Sequence, residues 1–164
     1  MKVLLVILFC FVCPTTLAIG EGDVAPSFKL PELGSGSIEH SLLQYRGKVI
    51  YLDFWAAWCG PCRISIPEIV KLQAALGSDQ FVVLAINLDS DIVEARSFLV
   101  SYPINYTVLS DPEGRVAGLY QLPGMPTSFL IDKSGKIVLQ HIGYRSGDMD
   151  SIRMVIENLL NDED

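Results

Sequence analysis

The sequence predicts an α/β domain built on a mixed sheet. Three observations carry this expectation. From Val49 onward, apolar runs of strand length alternate with segments of helical spacing. The last two apolar runs, Thr127–Asp132 and Lys136–Ile142, are joined only by Lys133-Ser134-Gly135, which is enough for a hairpin and too little for a crossover helix. The closing segment carries Ile152, Val155, Ile156, Leu159 and Leu160, an i, i+3, i+4, i+7, i+8 stripe. Alternation calls for parallel strands with right-handed crossovers, and the hairpin adds an antiparallel pair.

Taken in order, Glu21 to Pro31 reads as an irregular lead-in rich in Gly, Pro and Ser. Leu33 to Ser37 is a Gly/Ser turn region, a short strand begins near Ile38, and Ser41 to Tyr45 is a short helical turn. Val49 to Trp55 is a continuous apolar strand interrupted only by Asp53, as suits a central strand covered on both faces. Gly60 to Leu76 is a helix marked by Ile66, Ile69, Val70, Gln73 and Leu76, with Gln73 the polar exception, Pro67 an expected kink and Gly77 the stop. Phe81 to Leu88 is a second buried strand. Asp91 to Val100 is a helix ending before Pro103, and Tyr106 to Leu109 is a short strand. Asp111-Pro112-Glu113-Gly114 is a turn leading into a short helix that runs to about Tyr120. No internal repeat and no long linker divides the chain.

The N-terminus has the pattern of a targeting signal. Lys2 supplies a positive start, Val3 to Val12 an apolar stretch, and Thr16-Leu17-Ala18 a small-residue cleavage site. The expected organisation is a signal peptide over 1–18 and one domain over 19–164. The alternative is an uncleaved membrane anchor over Val3 to Ile19, weakened by Pro14, Thr15 and Thr16. A lipid anchor at Cys13 is disfavoured because Val12 precedes it. The chain has 164 residues, half of them hydrophobic, enough for a sizeable core. Its formal charge of −7 argues against nucleic acid and anionic membrane surfaces as partners.

Cleavage would remove Cys10 and Cys13 and leave Cys59 and Cys62, in an oxidising compartment. A structural staple over so short a loop contributes only roughly 2 kcal/mol. A zinc site lacks a second ligand pair, and a c-type haem site would need a histidine where Arg63 stands. Monovalent copper on two thiolates stays open. The redox reading explains more. Cys59 falls where a strand ends and a helix begins, among unpaired N–H groups and the positive end of the dipole, which favours a thiolate. Cys62 lies one turn on, and Pro61 fits the first turn, where its missing N–H costs nothing. Cys59 is then the nucleophile and Cys62 resolves the mixed disulfide.

"DFWAAWCGPCRISIP" resembles the active-site stretch of thioredoxins. The wider chain resembles the exported TlpA/ResA/DsbE-like thiol–disulfide oxidoreductases, through "GDVAPSFKLPEL", "YRGKVIYLDFW" and "GMPTSFLIDKSGKI". The resemblance implies a thioredoxin-like fold, with an N-terminal extension and a central strand–helix insertion between Leu88 and Tyr120. It implies Cys59 and Cys62 as the redox pair, with no cofactor beyond that disulfide. Trp58, Gly60 and Pro61 would shape the exposed rim. Pro126 matches a proline held cis beside the pair, and the Met125 backbone would pair with an extended substrate. Expected partners are oxidised protein substrates, apocytochromes c among them, and a membrane thiol transporter of DsbD/CcdA type as electron source. A monomer is expected, in the periplasm or otherwise exported.

Asp53 is an ionisable residue inside an apolar strand, so its pKa should rise. Alternation puts it on the face of Tyr51 and Trp55. Thioredoxins carry an aspartate at the matching place, which implies a proton acceptor for Cys62; the alternative is a buried carboxyl satisfied by neighbours. Two departures stand out. Ala85 lies near the place of the lysine that partners the thioredoxin aspartate, and Ser65 replaces a glutamate of ResA-like members. Trp55, Met149 and Met154 read as packing residues, His40 and His141 as surface or edge residues, and Asn105-Tyr106-Thr107 as a glycosylation pattern relevant only in a eukaryotic secretory host. The competing functions are a copper-binding assembly factor, a disulfide-forming oxidant, and a peroxidase, which Ala56 disfavours because a Thr or Ser is needed there.

Overall fold

The computed structural model describes residues 19–35 and 37–162; the expected signal peptide lies outside them. The elements follow as β1 (Lys29–Pro31), β2 (Glu39–Ser41), a 3-10 turn (Leu42–Tyr45) and β3 (Val49–Trp55). Then come α1 (Cys62–Leu76), β4 (Phe81–Asn87), α2 (Ile92–Ser101), β5 (Thr107–Ser110) and α3 (Arg115–Leu119). The chain closes with β6 (Thr127–Ile131), β7 (Ile137–Ile142) and α4 (Asp148–Asn161). The main sheet runs β5-β4-β3-β6-β7, a mixed thioredoxin-like sheet flanked by helices. β3 pairs parallel with β4 and β4 with β5, while β6 is antiparallel to both β3 and β7. β3 is central and buried at every residue, which is why its sequence is a run and not an alternation.

Alternate β3 residues feed two cores. Leu52 and Phe54 join Leu84, Ile86, Phe129 and Tyr120 on one face. Val49 and Tyr51 join Ile69, Leu72, Ile152 and Ile156 on the other, under α1 and α4. Burying each such large apolar side chain contributes roughly 1.5–3 kcal/mol. Gln73 sits among the apolar residues of α1 for a specific reason. Its Oε1 accepts from Val83 N–H at 2.7 Å, and its Nε2 donates to the Gly77 carbonyl at 2.5 Å. Val83 lies one residue beyond the β4–β5 ladder, which begins at Leu84 and Thr107. The glutamine therefore finishes the sheet edge and the helix end together.

The lead-in is more ordered than its composition predicts. Lys29–Pro31 forms β1, pairing antiparallel with β2. Upstream, Gly22 N–H donates to the Ile137 carbonyl at 2.8 Å and Ile137 N–H to the Asp23 carbonyl at 2.9 Å. Downstream, Leu33 N–H donates to the Val108 carbonyl at 2.8 Å. The same segment thus ties to β7 at one side of the sheet and β5 at the other. The Tyr120 hydroxyl holds it midway, donating to the Pro26 carbonyl at 2.9 Å. Trp55 and Met149 are core residues as expected, but Met154 is not: it is 60% exposed on the outer face of α4. His141 lies on edge strand β7, its Nε2 3.2 Å from Asp148. His40 is largely covered by the small hairpin, its Nδ1 2.6 Å from the Tyr45 hydroxyl.

Candidate active site

β3 ends at Trp55, and the chain turns through Ala56, Ala57 and Trp58 before α1 begins. Cys59 and Cys62 are joined by a disulfide across this junction, with Cα atoms 5.3 Å apart. Cys62 N–H, in the first turn of α1, points at Cys59 Sγ from 3.3 Å. This orphan helix donor, with the dipole behind it, is the device that lowers a thiol pKa. The pair lies at the bottom of its rim: Cys59 is 3% and Cys62 0% exposed, whereas Trp58 is 65% exposed. Gly60 and Pro61 are exposed beside it.

The loop before Cys59 is fixed by residues the sequence did not single out. Both carboxylate oxygens of buried Asp89 accept from Ala57 N–H, at 3.1 and 2.9 Å. The carbonyl of Ala57 accepts from Arg63 Nη2 at 3.2 Å. Asn87 Nδ2 donates to Asp89 Oδ2 at 2.7 Å, completing the carboxylate's shell. A buried acid closing an Asn-x-Asp pattern at a strand end was the available signal. Its target, 32 residues upstream, was not readable.

The Met125–Pro126 peptide is cis, as the resemblance implies. Pro126 is buried, and its carbonyl accepts from Gly143 N–H at 2.8 Å. Thr127 Oγ1 donates to the Gly124 carbonyl at 2.8 Å, closing the turn in front of it. Met125 packs against the cluster that contains Cys59 and Cys62. Between Trp58 and Met125 opens a groove of about 610 Å³, lined by uncharged residues that include Leu88, Ala117, Gly118 and Leu122.

Asp53 is 1% exposed, and its Oδ2 has no hydrogen-bond partner among the described residues. Burial pushes its carboxyl up to about 7. Its parallel partner is Ala85, which belongs to the same buried cluster as Cys59 and Cys62, so the carboxyl lies on the redox side of the sheet. Ala85 offers no cation, and its antiparallel partner Ser128 offers none either. Burial first, and then the Asp53 charge, push up the phenols of Tyr51 and Tyr106. Ser65 is buried, its hydroxyl donating to the Cys62 carbonyl at 3.2 Å, so the position of the ResA-like glutamate carries no charge.

The redoxin family profile matches residues 20–156. The chain is 32% identical over 120 residues to the thiol-disulfide oxidoreductase ResA of Geobacillus thermodenitrificans, covering 73% of this chain and 68% of that protein. It is 34% identical over 122 residues to ResA of Bacillus thuringiensis, covering 74% and 69%. A thiol:disulfide interchange protein DsbE structure from Chlorobium tepidum superposes with a TM-score of 0.83 at 43% identity, covering 88% of this chain and all of that one. A disulfide at the head of α1, a cis proline beside it and these likenesses lead to one assignment. The chain belongs to the redoxin family of the thioredoxin superfamily, among the ResA/DsbE-like thiol–disulfide oxidoreductases.

Proposed function

We propose that the chain is an exported protein-disulfide reductase acting through Cys59 and Cys62. The observation that carries the reading is the disulfide at the start of α1 with Cys62 N–H on Cys59 Sγ. In the reduced protein, Cys59 thiolate attacks a substrate disulfide and forms a mixed disulfide. The displaced substrate sulfur leaves as a thiolate and takes a proton from water. Asp53 accepts the proton of Cys62, whose thiolate then attacks Cys59 Sγ. That step forms the Cys59–Cys62 bond and releases the second substrate thiolate. Two electrons have passed from the protein dithiol to the substrate.

Trp58, Gly60 and Pro61 would form the rim a protein substrate meets, and the Met125 backbone would pair with its extended chain. Among the described residues, no other group bonds to the N–H or carbonyl of Met125. A reductant working outside the cytoplasm must be recharged, and a membrane thiol transporter of DsbD/CcdA type fits that need. Apocytochromes c before haem attachment fit as substrates, since their paired cysteines must be reduced to take haem. The targeting pattern at residues 1–18 supports export; among the described residues no helix is long and apolar enough to cross a membrane.

Trapping tests the reading. Cys62→Ser keeps the nucleophile and removes the resolving thiol, so it should accumulate mixed disulfides on Cys59 that mass spectrometry identifies. The potential of the couple tests the direction: a value near −270 mV supports a reductant, and one near −120 mV makes the protein an oxidant. A variant that captures no protein at all would end the substrate assignment.

A further inference from the structure

In the proposed resolving step Asp53 takes a proton from Cys62, yet it is 1% exposed and lies beneath cysteines that are themselves buried. It acts only when ionised, and a carboxyl so placed exchanges protons with solvent only through neighbouring groups. The sheet register shows such a chain. One row crosses the sheet in the order Val108, Ala85, Asp53, Ser128, His141, each the direct partner of the next. Partners on neighbouring strands share a face, with Cβ atoms about 4.5–5.5 Å apart in antiparallel pairs. Toward β5 the row is apolar. Toward β7 it is polar at every step, from a carboxyl to a hydroxyl to an imidazole.

The polar half of the row runs from core to water. Ser128 is buried. His141 stands on the outer strand, its side chain 24% exposed, with Nε2 3.2 Å from Asp148 Oδ2. Facing a carboxylate, Nε2 carries the hydrogen, which leaves Nδ1 as an acceptor. Asp148 opens α4, and its Oδ2 also accepts from Arg145 N–H at 2.7 Å. Tyr144 is the other ring beside His141, with centroids 6.5 Å apart. Tyr51 ties the row together. Burial pushes its phenol up, the Asp53 charge adds to this, a hydrogen bond with Ser128 opposes it, and Tyr144 and Asp148 add last. The phenol thus bonds the middle of the row and lies within electrostatic reach of Asp53 at one end and Asp148 at the other.

We infer that Ser128 and His141 relay protons between Asp53 and solvent at the β7 edge, with Asp148 holding the outer end. The inference rests on the reading of Asp53 as proton acceptor and deepens it; Ser128 and His141 act through Asp53 and not on the sulfur atoms. The step moves one proton and no electrons. The Asp53 carboxyl gives its proton to Ser128 Oγ as the hydroxyl proton passes to His141 Nδ1, since a hydroxyl accepts and donates at once. The imidazolium, paired with Asp148, then gives its Nε2 proton to water; imidazole gains and loses protons near neutral pH. Asp53 Oδ2 has no hydrogen-bond partner among the described residues, so no other group competes with Ser128 for it.

The test uses the oxidised full chain and protons released by a light flash. Time-resolved infrared spectroscopy follows the carboxylic-acid band of Asp53, assigned by its absence in Asp53→Asn. Ser128→Ala and His141→Phe should each slow the rise of the band by about 10²-fold and leave its final height unchanged, which a misfolded variant would not. Ser128→Thr keeps the hydroxyl and should keep the wild-type rate. Imidazole in solution should restore the rate in His141→Gly, whose gap opens at the sheet edge, and should not restore it in Ser128→Ala. His141 lies at the edge, so its variants decide the matter if Ser128→Ala does not fold. A wild-type rate in His141→Phe, or in folded Ser128→Ala, overturns the inference and sends the proton through the redox cleft. A wild-type protein without the band overturns it too. The proton-acceptor reading fails separately, through a resolving step that Asp53→Asn leaves unchanged.

Discussion

Asp53→Asn tests the buried carboxyl through the folding stability of the oxidised protein. In the unfolded chain this carboxyl titrates near 3.8, and in the fold burial pushes it up to about 7. The folded state therefore keeps its proton across a pH range in which the unfolded state has lost it. Below 3.8 both states are protonated, and the contribution of the site to stability is at its fullest. As the pH rises from 3.8 to about 7 the unfolded state ionises alone, so the wild type loses stability through that window. Above it both states are ionised and the loss is complete. At about 1.36 kcal/mol per pH unit, the loss totals roughly 4 kcal/mol. Because the side chain is fully buried, solvent screening does not reduce this figure. Asparagine does not ionise, so the variant has no such window. Urea unfolding of both oxidised proteins at a series of pH values measures the difference, provided their m-values agree. The variant should gain on the wild type between about pH 4 and about pH 7, so that by about pH 8 the difference between them has moved several kcal/mol in its favour relative to about pH 4. A difference that stays constant across that range would mean that Asp53 ionises as an ordinary surface carboxylate, and the burial argument would be wrong.

Two further predictions follow from named contacts. The resolving step in the wild type should accelerate as pH rises through about 7, where Asp53 becomes an acceptor, and Asp53→Asn should lose that rise and slow by about 10²-fold. Stopped-flow decay of a mixed disulfide reads this, and an unchanged pH profile would remove Asp53 from proton transfer. Gln73→Leu strands the buried Val83 N–H and the last turn of α1, so it should cost about 1–3 kcal/mol despite being more apolar. Equal or greater stability in chemical denaturation would show that the glutamine's two bonds contribute nothing net.

The fold was legible where one element makes its own pattern. The unbroken run of β3 announced a strand covered twice, and the stripe of α4 announced its buried face, with Ile152 and Ile156 in the core. The redox pair was legible for the same reason, since Cys59-Gly60-Pro61-Cys62 carries its chemistry within four consecutive residues. Asp53 was legible as an exception to its own strand, and the structure buries it with Ala85 as its neighbour. What stayed hidden depends on partners far along the chain. β1 is three residues long and exists because β2 pairs with it, so composition read it as irregular. Asp111 read as a turn residue and Asp89 was not singled out, because their acceptor roles appear only when β4, β5 and the redox loop converge. Met154 falls outside the buried stripe of α4, and its apolar character alone had placed it in the core.

The lead-in that touches β7 near Ile137 and β5 near Val108 has a consequence for how the chain behaves in concentrated solution. Outermost strands with bare N–H and carbonyl groups are adhesive, since any second chain can zip onto them. Gly22, Asp23 and Leu33 occupy part of that adhesive backbone on opposite margins of the same sheet. The proposed processing cut after Ala18 would leave both margins covered. A chain shortened to begin at Lys29 would lose the cover over Ile137 while keeping its redox pair, and would trade solubility for nothing in chemistry.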